Sequence, residues 1–156
     1  MITKFSDQHE FLSNFFPVNI IVDNIIFPSV EHAYVAAKTD DREKKLLIAY
    51  VLTAGKAKKF GKKLILPDNW NDIKVTIMHQ LLKEKFNWQL NPELAQKLLD
   101  TYPNQLIEGN TWGDKFWGAV FDGTNWNGEN NLGILLMKHR ELLKTQISFG
   151  NGDLIL

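Results

Sequence analysis

The chain has 156 residues, 44% of them hydrophobic, and its 18 Lys and Arg residues balance its 18 Asp and Glu residues. This length fits one domain over residues 1–156, and the balanced charge excludes a global field that would draw the protein onto nucleic acid or an anionic membrane. The absence of Cys excludes disulfides, thiolate catalysis and Cys-ligated metal. No apolar run approaches the roughly 20 residues that span a bilayer, and the N-terminus lacks the regions of a signal peptide, so we expect a cytoplasmic protein.

The chain begins with extended segments and continues with helices. Residues 18–27, VNIIVDNIIF, are rich in Val and Ile around an Asp23-Asn24 pair, which predicts a β-hairpin. Ser29 can cap a helix over residues 30–38, because its hydroxyl can accept from an amide of the first turn. Asp40 or Asp41 can start the next helix, for which spacing predicts an apolar stripe of Leu46, Leu47, Tyr50 and Val51.

The later elements are predicted from the same kinds of signal. They are a short helix capped by Thr53 and closed by Gly61, a helix opened by Asn71 or Asp72, a helix from Pro92 to Asp100, a short strand over 104–108, a structured loop over 109–128 and a closing helix over 130–143. No repeat, low-complexity tract or linker marks a domain boundary.

The helix after Ser29 carries the first group of candidate site residues. Seven residues are close to two helical turns, so Glu31 and Lys38 share one face and can line one cleft. Alternatively, Glu31 offsets the helix dipole and Lys38 is a solvated stem. His32 faces elsewhere, and we expect it to be a hydrogen-bonded structural residue rather than a base.

The second group lies in LIEGNTWGDKFWG, at residues 106–118. Glu108, Asp114 and Trp117 stand here among glycines that let a backbone approach a ligand, and indole faces can stack a heterocycle while carboxylates bind amino or hydroxyl groups. Alternatively, the aromatic residues form a small core under a loop, which we favour for Trp112 and Trp126.

Other chemistries lack their motifs. There is no Walker phosphate loop, dinucleotide fingerprint or HExxH, and the four His are scattered, which favours a hydrolase without metal or cofactor. The lysine cluster AGKAKKFGKK at 54–63 can neutralise a phosphate, or it can be a solvated helix face.

Several separate motifs together resemble the YbiA/NADAR family of N-glycosidases. They are FLSNFFP at 11–17, FPSVEHAYVAAK at 27–38, AKKFGKK at 57–63, Trp70, the helix at 78–86, LIEGN with WGDKFWG, and NNLGILLMKHR at 130–140. The resemblance implies one compact, mostly helical α+β domain with a short N-terminal β-hairpin and a small sheet. It also implies hydrolysis of a bond between ribose and an amine.

The resemblance further implies the site residues, position by position. The expected catalytic residues are Glu31 of the EH motif, the helix lysine Lys38, and Asp114 of the D-x-x-W-G segment. The expected substrate-binding residues are Asn14, Lys58, Trp70, Glu108, Trp117 and Asn131. Lys62 departs from the family, which often has Arg there, so a bidentate grip on phosphate is not expected at that position.

The bond itself suggests roles for these residues. Positive charge develops at the anomeric carbon while the leaving nitrogen needs a proton, so one of Glu31 and Asp114 can stabilise the carbon or activate water and the other can assist the nitrogen. In a second route, a ribosylamine opens to an imine and Lys38 attacks it as an amine.

The sequence leaves three functions open. The first is hydrolysis of ribosylaminopyrimidine phosphates, which are intermediates of riboflavin synthesis. The second is release of ADP-ribose from guanine, and the third is a noncatalytic nucleotide-binding module, which would not need Glu31 and Asp114 together. The expected partner is thus a small ribosylated heterocycle phosphate or an ADP-ribosylated guanine, and the sequence does not give the oligomeric state.

Overall fold

The computed structural model describes the backbone of residues 1–152 and the side chains of residues 1–148. The protein has the mostly helical α+β architecture that the sequence predicts: about half of the chain is helical, and the described residues form two small antiparallel sheets of two strands each. The chain divides into a central unit, Ser13–Lys85, and a terminal unit, which combines Met1–Leu12 with the chain from Phe86 onward. A single domain over residues 1–156 stays a prediction.

The central unit opens with the predicted hairpin. Strands β1 (Ile20–Val22) and β2 (Ile25–Phe27) pair antiparallel, with Ile20 opposite Phe27. The two turn residues, Asp23 and Asn24, have φ angles of 50° and 63°, as a two-residue turn with the twist of the strands requires. The Asp-Asn pair therefore gave the correct turn.

Four helices complete the central unit. They are α1 (Val30–Ala36), α2 (Arg42–Tyr50), α3 (Ala54–Gly61) and α4 (Trp70–Lys85). The predicted caps are confirmed, since the side chains of Ser29, Asp41 and Thr53 each accept from amides of the first turn. Helix α1 packs against α2, α3 and α4, so it forms the centre of this unit.

Two details of these helices differ from expectation. The stripe on α2 is wrong: Tyr50 and Val51 are 63% and 68% exposed, while Ile48 and Ala49 are buried. Spacing identifies an apolar face but not which face the neighbours cover, and here α1 and β2 cover the face of Ile48. Gly61 is the last residue of α3 rather than a left-handed cap, and a Cβ on it would lie 3.0 Å from Val35 Cγ1. Its lack of a side chain lets α3 approach α1.

The terminal unit contains a short 3-10 helix (Asp7–Leu12), helices α5 (Pro92–Asp100) and α6 (Asn131–Gly152), and strands β3 (Val120–Phe121) and β4 (Trp126–Asn127). The strand predicted over 104–108 is reduced to one parallel bridge between Ile2 and Leu106, because only this one residue of the N-terminal segment pairs with it.

The loop over 109–128 is structured, as predicted. Trp126 packs against Phe121 with ring centroids 5.2 Å apart, and Gly109 leaves room for its indole. Trp126 is half-buried, as expected if it packs in this loop, whereas Trp112 is 66% exposed, so the prediction of a small aromatic core is wrong for Trp112. No helix within the described part of the chain is long and apolar enough to cross a membrane.

Candidate active site

The start of α1 is held by a buried hydrogen-bond network. Ser29 Oγ accepts from the His32 backbone N–H at 3.2 Å and lies 2.6 Å from His32 Nδ1, while His32 Nε2 lies 2.7 Å from the Leu52 carbonyl oxygen. A carbonyl can only accept, so Nε2 donates to Leu52, and in a neutral imidazole Nδ1 then accepts from the Ser29 hydroxyl. Because both ring nitrogens are used in this way, His32 has the structural role that the sequence suggests.

Glu31 lies in the same first turn of α1. Its backbone N–H donates to the Asn14 carbonyl oxygen at 3.0 Å, which supplies an acceptor to an amide that has none within its helix. The Asn14 side chain is buried, and its Nδ2 lies 3.6 Å from Met78 Sδ of α4. Asn14 was predicted to bind substrate, and in this structure its backbone anchors the candidate catalytic turn.

Lys38, just after α1, is surrounded by aromatic rings. Its Nζ lies 5.2 Å from the centroid of the Tyr34 ring and 5.8 Å from that of the Trp70 ring, and the two rings pack 5.3 Å apart. A Cβ on Gly61 would lie 3.5 Å from the same nitrogen, so the backbone of α3 closes another side. The half-buried amine therefore sits in a narrow space, and Trp70, only 5% exposed, is a wall of that space rather than an open stacking surface.

The electrostatics of this space act on Lys38. Burial lowers the pKa of Lys38 below its ordinary value of 10.5; the Glu31 carboxylate raises the pKa, while Lys58 and Lys74 lower it. Glu31, Lys58 and Lys74 are therefore each close enough to Lys38 to act on its amine. The influence of Glu31 on Lys38 agrees with the prediction that these two residues line one cleft.

Tyr34 and Lys74 also act on Lys38, and neither residue was predicted from the sequence to belong to the site. Lys74 lies one helical turn after Trp70, so helical spacing puts both on one face of α4, and its Nζ donates to Asn71 Oδ1 at 3.1 Å. Tyr34 lies one turn before Lys38 on α1 in the same way. Spacing from Trp70 and Lys38 would have identified both residues.

In the terminal unit, Asp114 organises a tight turn. Its Oδ1 accepts from the backbone N–H groups of Phe116 (3.0 Å) and Trp117 (2.9 Å), so both hydrogen bonds of the carboxylate fall on one oxygen. The Asn110 side chain brackets the same turn, accepting from the Asp114 N–H at 2.9 Å and donating to the Asp114 carbonyl at 2.7 Å. Asp114 thus has a structural role beside the catalytic role predicted for it.

The remaining predicted residues lie around this turn. Trp117 packs edge-on against Phe116 at 4.9 Å, and Asn131, the first residue of α6, donates from Nδ2 to the Phe116 carbonyl at 2.8 Å. The Glu108 N–H donates to Asn130 Oδ1 at 3.0 Å, and its carbonyl accepts from the Ala119 N–H at 2.9 Å.

The candidate residues therefore fall into two groups, which we name the lysine group and the turn group. The lysine group of the central unit contains Asn14, Glu31, Lys38, Lys58 and Trp70, and the turn group of the terminal unit contains Glu108, Asp114, Trp117 and Asn131. A single site made from both groups stays a prediction.

Among the described residues, no group of three or more His, Cys, Asp and Glu side chains could hold a metal ion. A cleft of about 300 Å³ in the terminal unit is bordered by Phe11, Lys97 and Asn104, and none of the candidate site residues lines it.

Comparison with known proteins identifies the family. A model of the NADAR domain matches residues 2–144. A Vibrio vulnificus protein named as a riboflavin biosynthesis protein is 36% identical over 140 residues, covering 88% of this chain but only 36% of that relative's length. The N-glycosidase YbiA of Shigella boydii is 36% identical over 140 residues, 88% of this chain and 84% of the relative. The NMR structure of Escherichia coli YbiA matches with a TM-score of 0.77 at 35% identity, covering 93% of this chain and 86% of that chain. The chain therefore belongs to the NADAR family.

Proposed function

We propose that this chain hydrolyses the carbon-nitrogen bond between ribose 5-phosphate and an aminopyrimidine. Its enzyme class is that of a hydrolase acting on N-glycosyl bonds, which is supported by its family and by relatives named N-glycosidases. The aminopyrimidine is supported by the relative named for riboflavin biosynthesis. The observation that carries the proposal is the half-buried amine of Lys38, enclosed by Tyr34 and Trp70 and influenced by the Glu31 carboxylate.

Lys38 has the properties of a nucleophile for a ribosylamine. A lysine attacks carbon only when neutral, and the lowered pKa increases the neutral fraction at any given pH. A ribosylamine opens to an imine when its C1–O4 bond breaks and the proton of the glycosidic nitrogen moves to the ring oxygen. Lys38 Nζ then adds to C1, both Nζ protons pass to the aminopyrimidine nitrogen, the bond from C1 to that nitrogen breaks, and a Lys38–C1 imine forms. Water then adds to the imine, releasing ribose 5-phosphate and the free lysine.

Each of these steps moves a proton, and a carboxylate can carry it. Glu31 takes the proton that Nζ loses on forming the new bond and delivers it to the leaving nitrogen, which matches its influence on Lys38. Asp114 is the second carboxylate of the proposal, assisting the leaving nitrogen or the water through the carboxylate oxygen that does not hold the turn.

The phosphate is assigned to the surrounding lysines. Lys58 and Lys74 each repel the Lys38 amine, and a dianionic phosphate beside them removes part of that repulsion. Lys58 also lies 5.9 Å from the Phe15 ring, which limits the directions that its amine can take. Trp117 is the proposed stacking surface for the pyrimidine, and Asn14, Glu108 and Asn131 are proposed as further substrate-binding residues.

Incubation of the purified protein with ribosylaminopyrimidine phosphates and, separately, with ADP-ribosylated guanine tests the proposal. We expect release of ribose 5-phosphate from the first substrates, and loss of turnover with retained binding in Glu31→Gln. Release of ADP-ribose alone would give the guanine reaction instead. Ligand binding without any turnover in the unsubstituted protein would make the chain a binding module.

A further inference from the structure

Lys85, the last residue of α4, has no role in the proposed mechanism, yet its side chain is completely buried. Its Nζ donates to the Ser13 carbonyl oxygen at 2.7 Å and lies 5.6 Å from the centroid of the Phe16 ring. A buried polar group is tolerated only when it is hydrogen-bonded, so the contact with Ser13 is a required part of this environment.

The carbonyl bound by Lys85 is adjacent in sequence to the one that binds Glu31. Ser13 precedes Asn14, whose carbonyl accepts from the Glu31 N–H at 3.0 Å. On the other side, the Asn14 side chain contacts Met78 Sδ two turns earlier on α4. Helix α4 therefore holds the Ser13-Asn14 segment at two points, and this segment in turn holds the first turn of α1.

We propose that Lys85 is a positioning residue for Glu31. By fixing the Ser13 carbonyl it sets the Asn14 carbonyl, and through it the orientation of the turn from which the Glu31 carboxylate projects toward Lys38. This inference rests on the proposed function, in which Glu31 moves protons at the ribosyl bond. A displacement of a catalytic group by about 1 Å can lower turnover on the order of a hundredfold, so the loss of this anchor has a kinetic effect separate from stability.

The test compares Lys85→Met with Leu82→Ala. Methionine keeps an unbranched apolar side chain and removes the donor, whereas Leu82→Ala removes only apolar contacts of the same buried helix face. Amide hydrogen exchange by NMR, well below the unfolding temperature of every variant, reports the Glu31 N–H directly. We expect its exchange in Lys85→Met to accelerate at least about tenfold relative to amides in the last turn of α1, and kcat to fall about tenfold to a hundredfold with KM changed less than about threefold.

Leu82→Ala is the control for a general loss of stability. Leu82→Ala should accelerate exchange evenly along α1 and leave kcat per folded molecule unchanged. If Lys85→Met does not fold, Lys85→Arg keeps a donor in a different position and should show the same changes at smaller size. Unchanged Glu31 exchange, or faster exchange with normal kcat, overturns the inference. If the unsubstituted protein hydrolyses no ribosylated substrate, the proposed function fails, while the exchange of the Glu31 amide still decides whether Lys85 positions that turn.

Discussion

The Lys38 amine lies 5.8 Å from the centroid of the Trp70 ring, which relates a residue just after α1 to the first residue of α4. The two residues are far apart in sequence, and the packing of α1 against α4 brings them together. One consequence is that the amine is half-buried although the sequence alone allows a fully solvated stem. Its chemistry therefore depends on the helix packing of the central unit.

Replacing Lys38 by arginine keeps the positive charge and removes the nucleophile. Guanidinium stays protonated at all accessible pH values, so Lys38→Arg should lose at least about a hundredfold in turnover while remaining folded. Steady-state kinetics measure the loss, and borohydride reduction followed by mass spectrometry should detect a sugar-phosphate adduct on Lys38 in the unsubstituted protein and no adduct at this position in Lys38→Arg. Lys59→Arg, on the exposed face of α3, is the matched control. Unchanged turnover in Lys38→Arg eliminates the imine route.

The lowered pKa of Lys38 predicts how both stability and activity depend on pH. In the unfolded chain the amine has its ordinary pKa of 10.5, so between the lowered pKa and 10.5 the unfolded state binds more protons and this lysine's contribution to stability rises with pH. The neutral fraction rises over the same window, so kcat/KM should climb with pH and level off below 10.5. Lys74→Ala removes a neighbouring charge that lowers this pKa and should shift the climb to higher pH. A rate that is independent of pH up to 10.5 would contradict a neutral-lysine step.

The phosphate assignment predicts a change in KM rather than in turnover. Hydrogen bonds to charged groups contribute about 1.5–3 kcal/mol, so Lys58→Ala or Lys74→Ala should raise KM by roughly tenfold to a hundredfold. Both lysines also lower the pKa of Lys38, so kcat should change little only when it is compared on the plateau at high pH, where Lys38 is neutral in every variant. Added salt should weaken substrate binding less in these variants than in the unsubstituted protein. Lys56→Ala provides the control, because it removes an exposed lysine from the same cluster. An equal rise of KM in Lys56→Ala would mean that the lysines of residues 54–63 attract the phosphate through their combined charge rather than through specific contacts.

The sequence predicted the local features of the helices well, but it did not predict which elements pack against each helix face. Ser29, Asp41 and Thr53 cap helices as predicted, because capping depends only on residues within one turn. The apolar stripe of α2 was wrong, because burial depends on which elements pack there, and that is decided by contacts distant in sequence.

The candidate site shows the same division. Glu31 and Lys38 could be paired from helical spacing, although α1 ends two residues before Lys38. Asp114 and Trp117 could be paired because they are three residues apart. No motif indicates the contacts between distant segments. One is the hydrogen bond from the Glu31 amide to the Asn14 carbonyl, and the other is the hydrogen bond from the Lys85 amine to the Ser13 carbonyl.

Asp114 allows its structural and catalytic roles to be separated. Asp114→Asn keeps a side-chain oxygen that can accept from the Phe116 and Trp117 amides but removes the charge, whereas Asp114→Ala removes both. We expect Asp114→Asn to retain thermal stability and lose turnover, and Asp114→Ala to lose turnover and, in addition, about 0.5–2 kcal/mol of stability. Calorimetry and kinetics on both variants measure this. Normal turnover in Asp114→Asn would mean that Asp114 stabilises the turn and has no catalytic role.

Two glycines of α3 give opposite predictions for the same substitution. A Cβ at Gly61 would lie 3.0 and 3.1 Å from the Val35 methyl carbons and 3.5 Å from Lys38 Nζ, while one at Gly55 would meet nothing within 4 Å. Gly55→Ala should therefore stabilise the protein by about 0.5–1 kcal/mol through helix propensity. Gly61→Ala gains the same propensity but forces α3 away from α1, which costs about 1–3 kcal/mol, and it should also lower turnover because Lys38 loses its fixed surroundings. Denaturant unfolding and kinetics of both variants check this, and a stable, fully active Gly61→Ala would show that the close approach of α3 is not needed at the site.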